Sequence, residues 1–159
     1  MHFQHTLSKI YTFEGKGLHT GKEARMAVMP APVDTGIVFR RVDLDGCPEV
    51  EALAENVSST ARSTTISKGE ASVSTIEHIL SALTGMGVDN AYIEIDNVEV
   101  PILDGSAKPY IDAMWADGFQ QQDAPRRYIE IKETIEIRND EKGSVVRIEP
   151  AEEFSYDIM

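Results

Sequence analysis

Residues 1–122 predict an α+β domain, a two-layer arrangement of β-sheet against two helices, and residues 123–159 predict the start of a second unit. Three observations carry this prediction. Apolar residues recur at helical spacing in two segments, near 74–84 and from 106. Short β-branched and aromatic runs bounded by Gly, Pro, Asn and Asp surround those segments. Beyond Asp123-Ala124-Pro125 the chain turns to strand-like alternation with no further helical stripe.

Ala24–Met29 alternates imperfectly and stops at Pro30-Ala31-Pro32. Ile37-Val38-Phe39 follows the turn signal Asp34-Thr35-Gly36 and reads as a strand. A third strand is expected over Arg62–Ser67, ended by Lys68-Gly69. The first helix is expected over Ser74–Thr84, with Gly85 or Gly87 as its stop and Ile76, Ile79, Leu80 and Leu83 as its apolar stripe. Ala91–Asp96 alternates as a strand, closed off by Pro101 and the Asp104-Gly105 turn. The second helix starts near Ser106, tolerates Pro109 in its first turn, carries Tyr110, Ile111, Met114 and Trp115 on one side, and ends at Gly118. Tyr128–Ile137 and Val145–Ile148, joined by a turn over Asp140–Gly143, form a hairpin signal. Phe154–Met159 resembles a strand cut short, so the fold expected of residues 123–159 is incomplete.

Composition removes several function classes. With 159 residues, 42% apolar and 26% charged, the chain suits one ordinary globular domain or two small ones. Fifteen Lys and Arg stand against 27 Asp and Glu, a formal charge of −12. That balance argues against nonspecific binding to nucleic acid or to an anionic membrane surface, while leaving room for a small basic pocket. Cys47 is the single cysteine, which excludes an internal disulfide and suits a reducing compartment. No apolar run approaches the roughly 20 residues that span a bilayer. The opening MHFQHTLSKIYTF lacks the basic and apolar regions of a signal peptide, so a soluble, cytoplasmic protein is expected.

Ser74-Thr75-Ile76-Glu77-His78 is the most informative segment for chemistry. One reading is a capping box, with Ser74 capping the helix and Glu77 reaching back to its N–H. The other starts from the helical wheel, which turns Glu77 and His78 away from the apolar stripe. A carboxylate and an imidazole so placed can serve as a base and a metal ligand. The chain has no H-E-x-x-H. His19 and Glu23 straddle Gly21, and His2 and His5 sit near a terminus expected to be mobile. Gly15–Gly21, with three glycines in seven residues, favours a hairpin turn over a phosphate loop, because a strand rather than a helix follows it. Ile102–Ser106 reads as a strand-to-helix turn capped by Asp104 or Ser106. Arg40-Arg41 and Arg126-Arg127 read as solvated pairs.

Gly17-Leu-His-Thr-Gly21, Thr75-Ile-Glu-His78, Asp89-Asn90 and Pro101-Ile-Leu-Asp-Gly-Ser106, in this order, resemble the UDP-3-O-acyl-N-acetylglucosamine deacetylases of lipid A biosynthesis. The resemblance runs from about Thr6 to the last residue. It implies a zinc-dependent amidase built of two similar α+β domains, with the active site between them. It also implies that Glu77 is the general base, His78 the first Zn²⁺ ligand, and His19, with Leu18 beside it, a substrate-side residue. Thr60, Arg62 and Ser63 match a stretch lining the family's acyl passage, although Arg62 is more polar than that setting suggests. The family's other metal ligands, a His-x-x-x-Asp pair, and a further catalytic histidine belong to the second domain and have no counterpart here. The implied partners are UDP-3-O-acyl-N-acetylglucosamine, the protein's own C-terminal domain and, as in some bacteria, a fused dehydratase domain. A noncatalytic domain that binds a UDP-sugar or acyl chain on the same scaffold is the alternative.

Overall fold

Short strands dominate the chain, as the spacing of its β-branched and aromatic residues requires. The computed structural model describes residues 2–158. Its strands are β1 (Phe3–Leu7), β2 (Tyr11–Lys16), β3 (Glu23–Pro30), β4 (Ile37–Arg41), β5 (Glu49–Glu51), β6 (Val57–Ser59), β7 (Thr65–Lys68) and β8 (Ala71–Ser74). Helix α1 (Glu77–Met86), β9 (Ala91–Ile95), helix α2 (Lys108–Trp115), β10 (Phe119–Pro125), β11 (Ile135–Asn139) and β12 (Ser144–Ile148) follow. The chain divides into two compact units, one ending at Arg126 and one beginning at Arg127. The α+β class holds.

In the first unit the main sheet has the order β2-β3-β9-β4-β5. Its pairings are antiparallel except for β4 with β9. Phe13, Met26, Val28, Phe39, Val50, Ile93 and Ile95 are buried and join one core with residues of α1 and α2. The expected stripe of α1 faces that core: Ile76, Ile79 and Leu83 are fully buried and Leu80 packs at its margin. Each such side chain contributes roughly 1.5–3 kcal/mol relative to exposure. From α2, Tyr110 and Met114 enter the core and Ile111 packs against it, while Trp115 points outward and is 60% exposed. Tyr110 also meets Phe13 edge-on at 4.8 Å and donates its hydroxyl hydrogen bond to the Pro101 carbonyl at 2.8 Å.

Several expectations are corrected, each by a particular contact. The first helix starts at Glu77, not Ser74. Ser74 ends β8, where its N–H donates to Val98 and its carbonyl accepts from Val100, so the capping box does not form. Gly87 supplies the stop, with φ of 76° and its N–H returned to Leu83 and Thr84. The strand expected from Arg62 begins at Thr65, because Arg62 lies in a turn with φ of 64°. The segment carrying His5 is held rather than mobile: β1 pairs with β10, and the His5 N–H donates to Asp89 Oδ2 at 2.8 Å.

Arg41 is buried, forked onto Asp43 at 2.8 and 2.7 Å and donating to the Ser72 carbonyl, while Arg40 stacks 3.5 Å over the Tyr92 ring. Arg126 is likewise partnered, on Asp89 and the Gly87 carbonyl. Neither arginine pair is simply solvated. Through β10 and Arg126 the first unit runs past residue 122.

The second unit consists of the β11–β12 hairpin, in register from Ile135 opposite Ile148 to Asn139 opposite Ser144, with its following tail. The hairpin is shorter than the alternation predicts, and Phe154–Ile158 forms no strand among the described residues. Among those residues no helix is long and apolar enough to cross a membrane.

Candidate active site

The chain leaves β8 paired to residues 98–100 and must reverse sharply to begin α1. Thr75 makes that reversal with φ of 59°, a left-handed conformation that costs a β-branched residue on the order of 1–2 kcal/mol. Such a turn persists only when its surroundings hold it. Here the Thr75 hydroxyl donates to Glu99 Oε1 at 3.0 Å. Ile76 then takes a helical conformation, and Glu77 and His78 fall in the first turn of α1, both half-buried.

Glu77 faces a second loop. Its Oε2 accepts the Thr64 N–H at 3.0 Å, and its Oε1 has no hydrogen bond among the described residues. This contact seats the β6–β7 turn, residues 60–64, beside the start of α1. Thr60 and Arg62 are exposed in that turn and Ser63 is half-buried.

The β2–β3 hairpin loop supplies a third segment, and the hairpin reading of the glycine-rich stretch holds. Gly17 donates to the Lys22 carbonyl, and Gly21, at φ of 65°, returns its N–H to Gly17. At the tip Leu18 is 59% exposed and His19 is exposed. The loop's backbone is anchored inward: the His19 N–H donates to Glu99 Oε1 at 2.9 Å and the Thr20 N–H to Glu99 Oε2 at 2.8 Å. Gly17 is required there, because a Cβ would lie 2.3 Å from Glu99 Oε2.

The structure therefore gathers the loop carrying Leu18 and His19, the turn carrying Thr60, Arg62 and Ser63, and the helix start carrying Glu77 and His78. It joins them through contacts on Glu99 and Glu77. No three His, Cys, Asp or Glu side chains converge to hold a metal among the described residues. A catalytic zinc takes three protein ligands. The donor chemistry present, one imidazole and one carboxylate, fits part of such a ligand set and not the whole of it.

The remaining motif residues act on the scaffold. Asn90 donates to Gln4 and Gln122 and accepts the Gly36 N–H, and Asp89 holds His5 and Arg126. Asp104 Oδ1 accepts from the Ser106 N–H and hydroxyl, and Ser106 Oγ in turn accepts the Lys108 N–H. Sequence reasoning missed Glu99 altogether. Its only signal is an acid set between Val98 and Val100 on the approach to Pro101.

The family model described as LpxC: UDP-3-O-acyl N-acetylglycosamine deacetylase matches residues 4–159. A UDP-3-O-acyl-N-acetylglucosamine deacetylase of Thioalkalivibrio sulfidiphilus is 46% identical over 151 residues, covering 95% of this chain and 49% of the relative. One of Geobacter sp. is 44% identical over the whole chain and 52% of its own length. A bifunctional enzyme LpxC/FabZ of Porphyromonas gingivalis is 46% identical over 99% of this chain and 34% of its own. The chain thus spans about half the length of these deacetylases.

Proposed function

Because the chain belongs to the UDP-3-O-acyl N-acetylglycosamine deacetylase family, we propose that it is the N-terminal part of a zinc-dependent enzyme removing acetate from UDP-3-O-acyl-N-acetylglucosamine in lipid A biosynthesis. The observation that carries this reading is the pairing of Glu77 and His78 on the first turn of α1, with one Glu77 oxygen fixed by Thr64 and the other left for chemistry.

In this reading His78 is one zinc ligand, bound through its neutral imidazole, and the others come from the C-terminal domain. Residues 127–159 are the start of that domain. Zinc, when bound, polarises the amide carbonyl and lowers the pKa of a bound water. Glu77 is the general base, and the Thr64 hydrogen bond holds its carboxylate in one orientation. Oε1 takes the proton of water as the water oxygen bonds to the acetyl carbon. As the amide C–N bond breaks, the proton held on Oε1 passes to the sugar nitrogen, so that acetate and the free amine depart together. Leu18 and His19 contact the substrate beside the active site, and Thr60, Arg62 and Ser63 line the acyl passage. The reaction is assigned to the cytoplasm in this reading. A fused dehydratase, as in the bifunctional relative, would add a second activity without altering this site.

The test is acetate release by the purified full-length protein from UDP-3-O-acyl-N-acetylglucosamine, before and after chelation. Release that chelation abolishes and zinc restores is expected. A zinc-loaded protein that binds the nucleotide sugar and releases no acetate would make this a noncatalytic binding domain instead.

A further inference from the structure

Glu99 is 1% exposed, and donors reach both of its oxygens. Oε1 receives the His19 N–H and the Thr75 hydroxyl, and Oε2 receives the Thr20 N–H. No lysine or arginine pairs with the carboxylate among the described residues. A buried charge without a counter-ion costs several kcal/mol unless hydrogen bonds replace its hydration. Here they do. Burial pushes the Glu99 carboxyl up, and the bonds from His19, Thr20 and Thr75 outweigh it, leaving the group below its ordinary value.

The identity of the partners matters. A glutamine at this position would turn an NH₂ group toward a set of donors at one end or the other, so only a carboxylate satisfies both. Two segments distant in sequence depend on it: the loop that presents His19 and the strained left-handed turn at Thr75, two residues before Glu77. Gly17 is bare of a side chain where Glu99 passes, which makes room for the contact.

We propose that Glu99 is a positioning residue: it clamps the His19 loop to the Thr75 turn and so fixes where Glu77 and His78 stand relative to His19. The clamp is a property of the fold, and its effect on turnover rests on the deacetylase reading. Misplacing a reacting group by about 1 Å costs on the order of 100-fold in rate.

The experiment compares Glu99→Gln, Thr75→Val and Thr75→Ser in the full-length, zinc-loaded enzyme, with wild type and Glu77→Ala beside them. Thr75→Val removes the hydroxyl and keeps the branched shape, and Thr75→Ser keeps the hydroxyl. Expected is a loss of kcat on the order of 100-fold in Glu99→Gln and Thr75→Val. KM should change far less, circular dichroism should be unaltered, and Thr75→Ser should stay within a few fold of wild type. The double variant Glu99→Gln/Thr75→Val should lose little more than either single one, since both break the same contact. A folded Glu99→Gln enzyme with kcat near wild type would overturn the proposal. If Glu99→Gln does not fold, equal activity of Thr75→Val and Thr75→Ser would do so. Amide hydrogen exchange at His19 and Thr20 reads the clamp without catalysis. Glu99→Gln should speed it at both sites while core amides of α2 stay protected, and unchanged protection would also overturn the proposal. An inactive wild type would count against the deacetylase reading alone.

Discussion

Arg41 shows how a charged side chain becomes part of the interior. Its guanidinium meets both Asp43 oxygens and the Ser72 carbonyl, so removing it strands an acid and a backbone acceptor together. Asp43 keeps some solvent, with a side chain 29% exposed, which softens the loss. Arg41→Ala should therefore destabilise the chain by about 2–3 kcal/mol at neutral pH. The hydrogen bond from Arg41 holds the Asp43 carboxyl below its ordinary value of 3.8. A carboxyl depressed in the folded state contributes stability above its unfolded value and loses it as pH falls through the folded one. Glu99 behaves in the same sense below its ordinary 4.5. Urea unfolding at stepped pH should show wild-type stability falling below about pH 4, with the Arg41→Ala deficit shrinking over the same range. A deficit that stays constant to pH 3 would place its origin in packing instead.

At the scale of elements, α1 is set by its two ends. Gly87 terminates it in a left-handed conformation, and a Cβ there would also come within 3.2 Å of the Arg126 guanidinium. Gly87→Ala should cost roughly 1–2 kcal/mol, seen as a lower urea midpoint with an unchanged slope. The stop was legible in the sequence because a glycine after an apolar stripe has one common use. The start was not. Ser74 and Glu77 have the spacing of a capping box, but Ser74 is claimed by pairing with residues 98–100, a contact no local pattern reveals. Strands β4, β9 and the β11–β12 hairpin were legible from alternation and turn residues. β5, β6 and β8 escaped because they are only three or four residues long, and β1 and β10 because they are polar and are strands by pairing with each other across the chain. Glu99 escaped for the same reason, since its donors come from residues 19, 20 and 75. Glu77 and His78 could be singled out because a helical wheel turns them off the apolar stripe.

For the whole molecule, the first unit closes its own core while the second leaves apolar residues in the open, among them Ile129 at 93%, Ile137 at 68% and Phe154 at 94% exposure. A two-stranded hairpin is marginal by itself. Among the described residues no three His, Cys, Asp or Glu side chains converge on one point. In the proposed reading a second domain completes the site, Glu77 moves a proton and His78 holds the metal. Metal analysis beside kinetics on full-length Glu77→Ala and His78→Ala tests that division of labour most directly. Glu77→Ala should keep its zinc and lose about 10²–10⁴-fold in rate, whereas His78→Ala should lose zinc and activity together. A Glu77→Ala enzyme that sheds zinc as completely as His78→Ala would contradict the separate roles.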